Sequence, residues 1–311
     1  MMTITSNERF EIRSLDFKNA YLQGSKIGRT VYIEPPSDYK KEGKIWLILR
    51  NVYGTNDSTR SFYLSMNETL KKLGGKQVAG DEALYTFHNE KGKLIGMVGL
   101  HVNNLYIVGN KEFMSKVGEP LKKRYVFGKE ETKKFRFTGL DIEQMEAGIE
   151  VNQAKYYEAI QEIYVPDKKN TERALNKDKY KAFRGAIGKL NWLQGQTRPD
   201  HSSYNLNMSM KSKDATVHDV NKMNKIIKKA KEEANTTSKM TCRRIGDYEN
   251  LKIVEFSDAS YKTGDQKVRS VEGQILVLTN GEKACPFMWK SKKIPRVCNS
   301  TKTAETLALL Y

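Results

Sequence analysis

The stretch that most constrains this chain is Leu94–Asn110, LIGMVGLHVNNLYIVGN. β-Branched and aromatic residues dominate both of its arms (Ile95, Val98, Val102, Tyr106, Ile107, Val108), as suits a pleated, half-buried surface. Asn103-Asn104 interrupts the apolar run. Asparagine tolerates positive φ, so the pattern predicts a β-hairpin with the two asparagines at or near its turn.

Periodicity elsewhere predicts a mixed architecture. Phe10–Leu15 alternates as a strand running into Asp16, and DFKNAYLQG (16–24) then turns to Gly24. An acid in that position reads equally well as a metal ligand or as a strand-end cap. Val31–Pro36 is a short extended piece stopped by prolines. Asn56–Leu73 is an amphipathic helix that Asp57 or Ser58 can cap, with Phe62, Met66, Leu70 and Leu73 inward and Gly74-Gly75 as its stop. A strand over Ala83–Phe87 precedes the hairpin. A basic helix follows it over Phe113–Arg124, with Pro120 inside or at its end. Lys133–Val151 alternates around a turn at Glu146-Ala147-Gly148. Helices are expected over Gln153–Ile163, Lys179–Gln194 and Val217–Ala234, then a polar linker over Thr236–Asn250. Strands at Leu251–Ser257, ending at Asp258, at Val271–Leu278 and at Phe287–Lys290 lead to a helix opening at Ser300.

At 311 residues the chain is long enough for two domains. Its 54 Lys and Arg against 37 Asp and Glu leave a net +17, which favours a polyanion partner, nucleic acid before an anionic membrane surface. No apolar run reaches membrane-spanning length; the best is interrupted by His101, Asn103 and Asn104, and the N-terminus has no apolar signal core. The cysteines, Cys242, Cys285 and Cys298, are odd in number without metal-like pairing. They read as reduced thiols in an intracellular protein, cytoplasmic or nuclear. Between Lys211 and Arg244 the basic residues outnumber the acidic ten to four. Lys222, Lys225, Lys228 and Lys229 on the helix there are either a solvated face or a phosphate-contacting one, and the sequence leaves both open.

Several segments together spell a family: LDFKNAYLQG, VYGTNDSTRSFY, LHVNNLYIVG, YKAFRGAIGKLNWLQGQTRPD, and FSDASY with RSVEGQILVL and WKSKKIPRVCNST. In this order they resemble the Pol polyprotein of Ty1/copia-type retrotransposons, from the reverse transcriptase palm through the connection into ribonuclease H. The resemblance implies an α+β fold. It would comprise a palm-like antiparallel sheet with packed helices over 1–150, thumb and connection helices over 151–240, and the N-terminal part of a ribonuclease H-like sheet over 251–311. It implies nucleic acid as partner (RNA, DNA or an RNA–DNA hybrid), no membrane, and Mg²⁺ as the cofactor of the ancestral activity, with none required if that activity is lost. Oligomeric state stays open.

The resemblance also carries roles onto residues. Asp16, Asn103 and Asn104 stand at the polymerase catalytic positions, Asp16 as a metal ligand. Tyr21 matches the aromatic that excludes a ribose 2′-hydroxyl, and Arg60 belongs to the substrate-positioning segment. Asp258 and Glu305 match two of four ribonuclease H metal acids. The departures point one way. The hairpin pair should be aspartates, and an amide oxygen brings a Mg²⁺ site no charge. Asp57-Ser58-Thr59-Arg60 replaces Gln-Ala-Pro-Arg. The fingers expected upstream of Asp16 and the later ribonuclease H acids lie outside the sequence, and Leu307, Leu309 and Leu310 are expected to be left uncovered. A catalytically inactive fragment is therefore expected; a nucleic-acid binder and a relic without function are its rivals.

Overall fold

A computed structural model describes residues 1–166, 170–234, 239–246, 248–261 and 270–310, with only the backbone of residue 310. The fold is α+β, in two compact units, Thr3–Thr138 and Gly139–Tyr311.

In the first unit α1 (Met2–Glu8) precedes β1 (Glu11–Phe17). A two-stranded ribbon follows, β2 (Tyr32–Ile33) with β3 (Trp46–Leu47), and then α2 (Ser58–Lys72). Strands β4 (Lys76–Val78), β5 (Asp81–His88), β6 (Leu94–His101) and β7 (Asn104–Gly109) lead to α3 (Lys111–Phe113), a π turn at Met114–Gly118 and α4 (Glu119–Arg124). The unit closes with β8 (Phe127–Thr132) and β9 (Lys134–Phe137). The main sheet is antiparallel in the order β4-β5-β6-β7-β1-β8. Period-2 alternation sends Leu15, Phe17, Leu105 and Ile107 to one face, where they form a core with Phe62, Met66 and Leu70 of α2. Gly96 and Gly109 pair across β6 and β7, and a Cβ on either would fall within 2.3 Å of the Phe113 ring. Glycine there lets α3 close onto the sheet.

In the second unit β10 (Leu140–Met145), β11 (Gly148–Asn152) and β12 (Met240–Arg243) pair antiparallel in that order. The helices α5 (Ala154–Glu158), α6 (Lys177–Gln196), α7 (Ser202–Met210) and α8 (Val217–Glu233) share a core around Phe183, Leu190, Val220 and Ile227. Strands β13 (Lys252–Ser260), β14 (Val271–Thr279) and β15 (Ala284–Lys293) form a third antiparallel sheet, and α9 (Thr301–Leu310) packs on it. The Trp289 indole Nε1 donates to the Gln194 carbonyl at 2.7 Å, tying β15 to the end of α6.

Several expectations need correction. The hairpin turn falls at Val102-Asn103 with Asn104 beside it opening β7, so the asparagines do lie at and next to the turn, but not for the expected conformational reason. The left-handed residue is Val102 (φ 54°), not an asparagine. Asp16 and Asp258 lie inside their strands instead of ending them. Asp57 stands at the N-cap position of α2 as expected, but neither it nor Ser58 makes a side-chain capping hydrogen bond: Asp57 pairs with Arg29 at 3.1 Å and the Ser58 hydroxyl donates to the Thr55 carbonyl. The basic helix expected over 113–124 is continuous from Lys111 to Arg124 with Pro120 inside it, but it carries a π turn just before the proline. The helix expected over 153–163 stops at Glu158. The Asn224 side chain instead takes both backbone groups of Ile163, accepting from its N–H at 2.8 Å and donating to its carbonyl at 2.9 Å. The stretch expected as a linker contains β12, with residues 235–238 and 247 of it outside the described ones. Leu307 of α9 is buried against Ala259 rather than uncovered, while Leu309 is exposed and the Leu310 side chain lies outside the description. Among the described residues no helix is long and apolar enough to cross a membrane.

Candidate functional site

The antiparallel register sets Asp16 of β1 directly opposite Asn104 of β7. Alternation turns both away from the Leu15 and Phe17 core. The turn adds Asn103, whose backbone carbonyl accepts from Phe17 N at 3.0 Å, so the hairpin tip is fastened to β1 beside the acid. The side chains form a relay: Asn104 Nδ2 donates to Asn103 Oδ1 at 3.3 Å, and Asn103 Nδ2 donates to Asp16 Oδ1 at 3.1 Å. All three residues are half-buried.

This donor set does not fit a pair of Mg²⁺ ions. Magnesium takes oxygen ligands and usually one or two carboxylates, whereas here an amide N–H faces Asp16, and the two residues grouped with it in the relay, Asn103 and Asn104, bring no negative charge. Two acids at the asparagine positions would repel Asp16 unless a cation lay between them. Amides remove both the repulsion and the need for the cation.

Tyr21, on a 3-10 turn (Ala20–Gln23), is buried. Its ring lies 4.6 Å from that of Tyr53, and its hydroxyl is 3.2 Å from Thr59 Oγ1, at the first turn of α2. Arg60, the next residue, is exposed. Arg29 binds Asp57 through two nitrogens, and its guanidinium holds that carboxyl below the ordinary carboxylate range.

Residues 1–172 match the family model described as reverse transcriptase (RNA-dependent DNA polymerase). The chain belongs to the reverse transcriptase family. It is also similar to the retrovirus-related Pol polyproteins from transposons RE1 and RE2 of Arabidopsis thaliana. Identity is 22% to each, over 331 and 321 residues, and each comparison takes in 98% of this chain. The chain spans 21% of the length of these curated relatives. The expected likeness to a Ty1/copia-type Pol reverse transcriptase region is borne out.

The second unit of this reverse transcriptase relative carries the other expected residues. Ala259 packs beneath α9 with Ala304 and Leu307, so alternation turns Asp258 to the opposite face of its sheet. There Asp258 lines a cavity of about 300 Å³ with Pro199, Ser202, Phe256, Ile275 and Trp289. Glu305 is half-buried on α9, and among the described residues no hydrogen bond or ion pair joins it to Asp258. Lys222, Lys225, Lys228 and Lys229 are all exposed on α8. Lys228 approaches Glu232 at 3.9 Å. Lys229 lies 3.8 Å from Glu233 and over the Tyr204 ring.

One polar cluster was not anticipated. Arg198 is 2% exposed and donates to Asp200 (Nε to Oδ1 at 2.8 Å, Nη2 to Oδ2 at 2.5 Å), to the Tyr157 hydroxyl at 3.1 Å and to Glu233. Burial opposes its charge, but bonds from Asp200, Tyr157 and Glu233 outweigh that and raise its pKa. The neighbouring His201 is 1% exposed; burial first, and then Arg198, lowers its pKa against the pull of Asp200 and Glu233. The signal available was an arginine, an acid and one of the chain's four histidines within Arg198–His201. Nothing in the local pattern indicated that Glu233, at the far end of α8, would meet them.

Proposed function

We propose that the chain is a retrotransposon-derived reverse transcriptase and ribonuclease H fragment, with palm-like, thumb and connection, and ribonuclease H-like parts over 1–150, 151–240 and 251–311. In this reading its polymerase centre no longer works, and the fragment keeps the nucleic-acid binding of its family. The bond from Asn103 Nδ2 to Asp16 Oδ1 carries this reading. It leaves Asp16 as an amide-bonded acceptor where the chemistry of two-metal phosphoryl transfer needs grouped carboxylates. Losing two charges from a dication site costs on the order of several kcal/mol of metal and transition-state stabilisation. Tyr21 and Arg60 remain as the substrate-side residues, and Asp258 and Glu305 as the ribonuclease H-like acids.

The test is primer extension on an RNA template with Mg²⁺. The protein as written gives no product above background. Mg²⁺-dependent extension that disappears in Asp16→Asn would overturn the inactive reading. The binding half rests on the net charge of +17 and on the exposed lysines of α8. Changing Lys222, Lys225, Lys228 and Lys229 together to Glu weakens binding to an RNA–DNA hybrid and flattens its salt dependence; unchanged binding would sink that half.

A further inference from the structure

The cluster around His201 is built for a ligand that its own side chains do not supply. Neither ring nitrogen of His201 has a hydrogen-bond partner among the described residues, although the side chain is almost wholly enclosed. A buried imidazole N–H left unmade costs about 1–3 kcal/mol, so such an orphan calls for a partner. Nε2 lies 3.6 Å from Asp200 Oδ2 and 3.7 Å from Glu233 Oε2. These separations are too long for hydrogen bonds. They are close to the roughly 3.3–3.6 Å between two atoms that each bind one tetrahedral ion at about 2.0–2.2 Å. The three ligand atoms lie within 4.8 Å of one another.

Two features of the surroundings favour a cation. Asp200 is exposed, which opens a path from solvent and leaves room for water to complete the coordination. Glu233 is the last residue of α8, where unpaired carbonyls concentrate partial negative charge. Arg198 Nη2 already donates to the same two carboxylate oxygens. Each such oxygen has a second lone pair, so the guanidinium orients the carboxylates from outside, as outer partners of metal ligands commonly do.

We propose that Asp200, His201 and Glu233 bind one divalent transition ion, with Zn²⁺ the best match to one imidazole and two carboxylates, and Arg198 as the outer partner. Mg²⁺ and Ca²⁺ prefer all-oxygen sets and are the wrong ions for this site. Bound there, the ion joins the Pro199–His201 turn to the end of α8, residues that are otherwise remote in sequence.

The full chain, stripped with a chelator that is then removed, is titrated with Zn²⁺ alone, and separately with Co²⁺ as a spectroscopic substitute. We expect saturable uptake of one ion per chain, visible Co²⁺ bands and a higher melting midpoint. His201→Asn and Glu233→Gln each weaken binding at least tenfold, and Asp57→Asn leaves it unchanged. Absence of saturable uptake overturns the proposal. So does uptake that survives both His201→Asn and Glu233→Gln, because the ion then sits elsewhere. If either variant fails to fold, the other decides; if both fail, the native chain decides by whether its Co²⁺ bands are those of a nitrogen-and-oxygen set or of thiolate ligation at a cysteine. No nucleic acid or polymerase assay enters, so this outcome and that of the proposed function are independent.

Discussion

The Asp16 trio and the Arg198 cluster handle charge in opposite ways. At the hairpin, amides stand beside one acid, each amide nitrogen has an acceptor, and no counter-cation is needed. In the helical region, two carboxylates, a guanidinium and an imidazole converge with Arg198 and His201 almost fully enclosed. A buried charge is tolerated only with close partners, so the second arrangement depends on every member while the first does not. Bringing polar groups together is therefore not by itself the mark of an ionic site: the trio sets two amides around a single acid, whereas the cluster concentrates charge where no catalytic role was expected.

The sharpest break of this contrast is Arg198→Met. It leaves Glu233 and Asp200 facing each other without their cation and is expected to destabilise the fold by about 3–5 kcal/mol, read from urea unfolding. A loss below 1 kcal/mol would mean that the cluster is no more interdependent than the hairpin. Next comes Asn103→Asp. It exchanges a hydrogen bond to a charged acceptor for repulsion between adjacent carboxylates, at a cost of about 1.5–3 kcal/mol without divalent ion. Added Mg²⁺ should recover part of that loss in the variant and shift the native midpoint by nothing measurable. A native chain stabilised as strongly by Mg²⁺ as the variant would show that the amides do not replace the cation. The smallest effect belongs to Asp57→Asn, which removes an exposed pair with Arg29 and should leave the thermal midpoint within experimental error.

The sequence exposed what depends on short-range pattern. The hairpin, α2, α6 and α8 follow from apolar periodicity, and the asparagines at the two positions that the resemblance makes catalytic are visible without coordinates. What it concealed depends on partners distant along the chain. Val102 takes the left-handed turn conformation because pairing of β6 with β7 fixes the register, overriding the local preference that favours asparagine. β12 was hidden in polar sequence because its pairing with β11 supplies what its composition does not. His201 and Glu233 meet only because α7 and α8 pack together, and no spacing rule reports that.

Asn224 has a consequence for exchange of backbone hydrogen with solvent. The Ile163 amide lies in neither helix nor strand, so from its surroundings it would be expected to exchange quickly. Its bond to Asn224 Oδ1 ties its protection to α8. It should exchange as slowly as amides in the middle of α8 and should lose that protection in Asn224→Ala. A single amide proton in an irregular stretch would then report whether the helical core beneath it is closed.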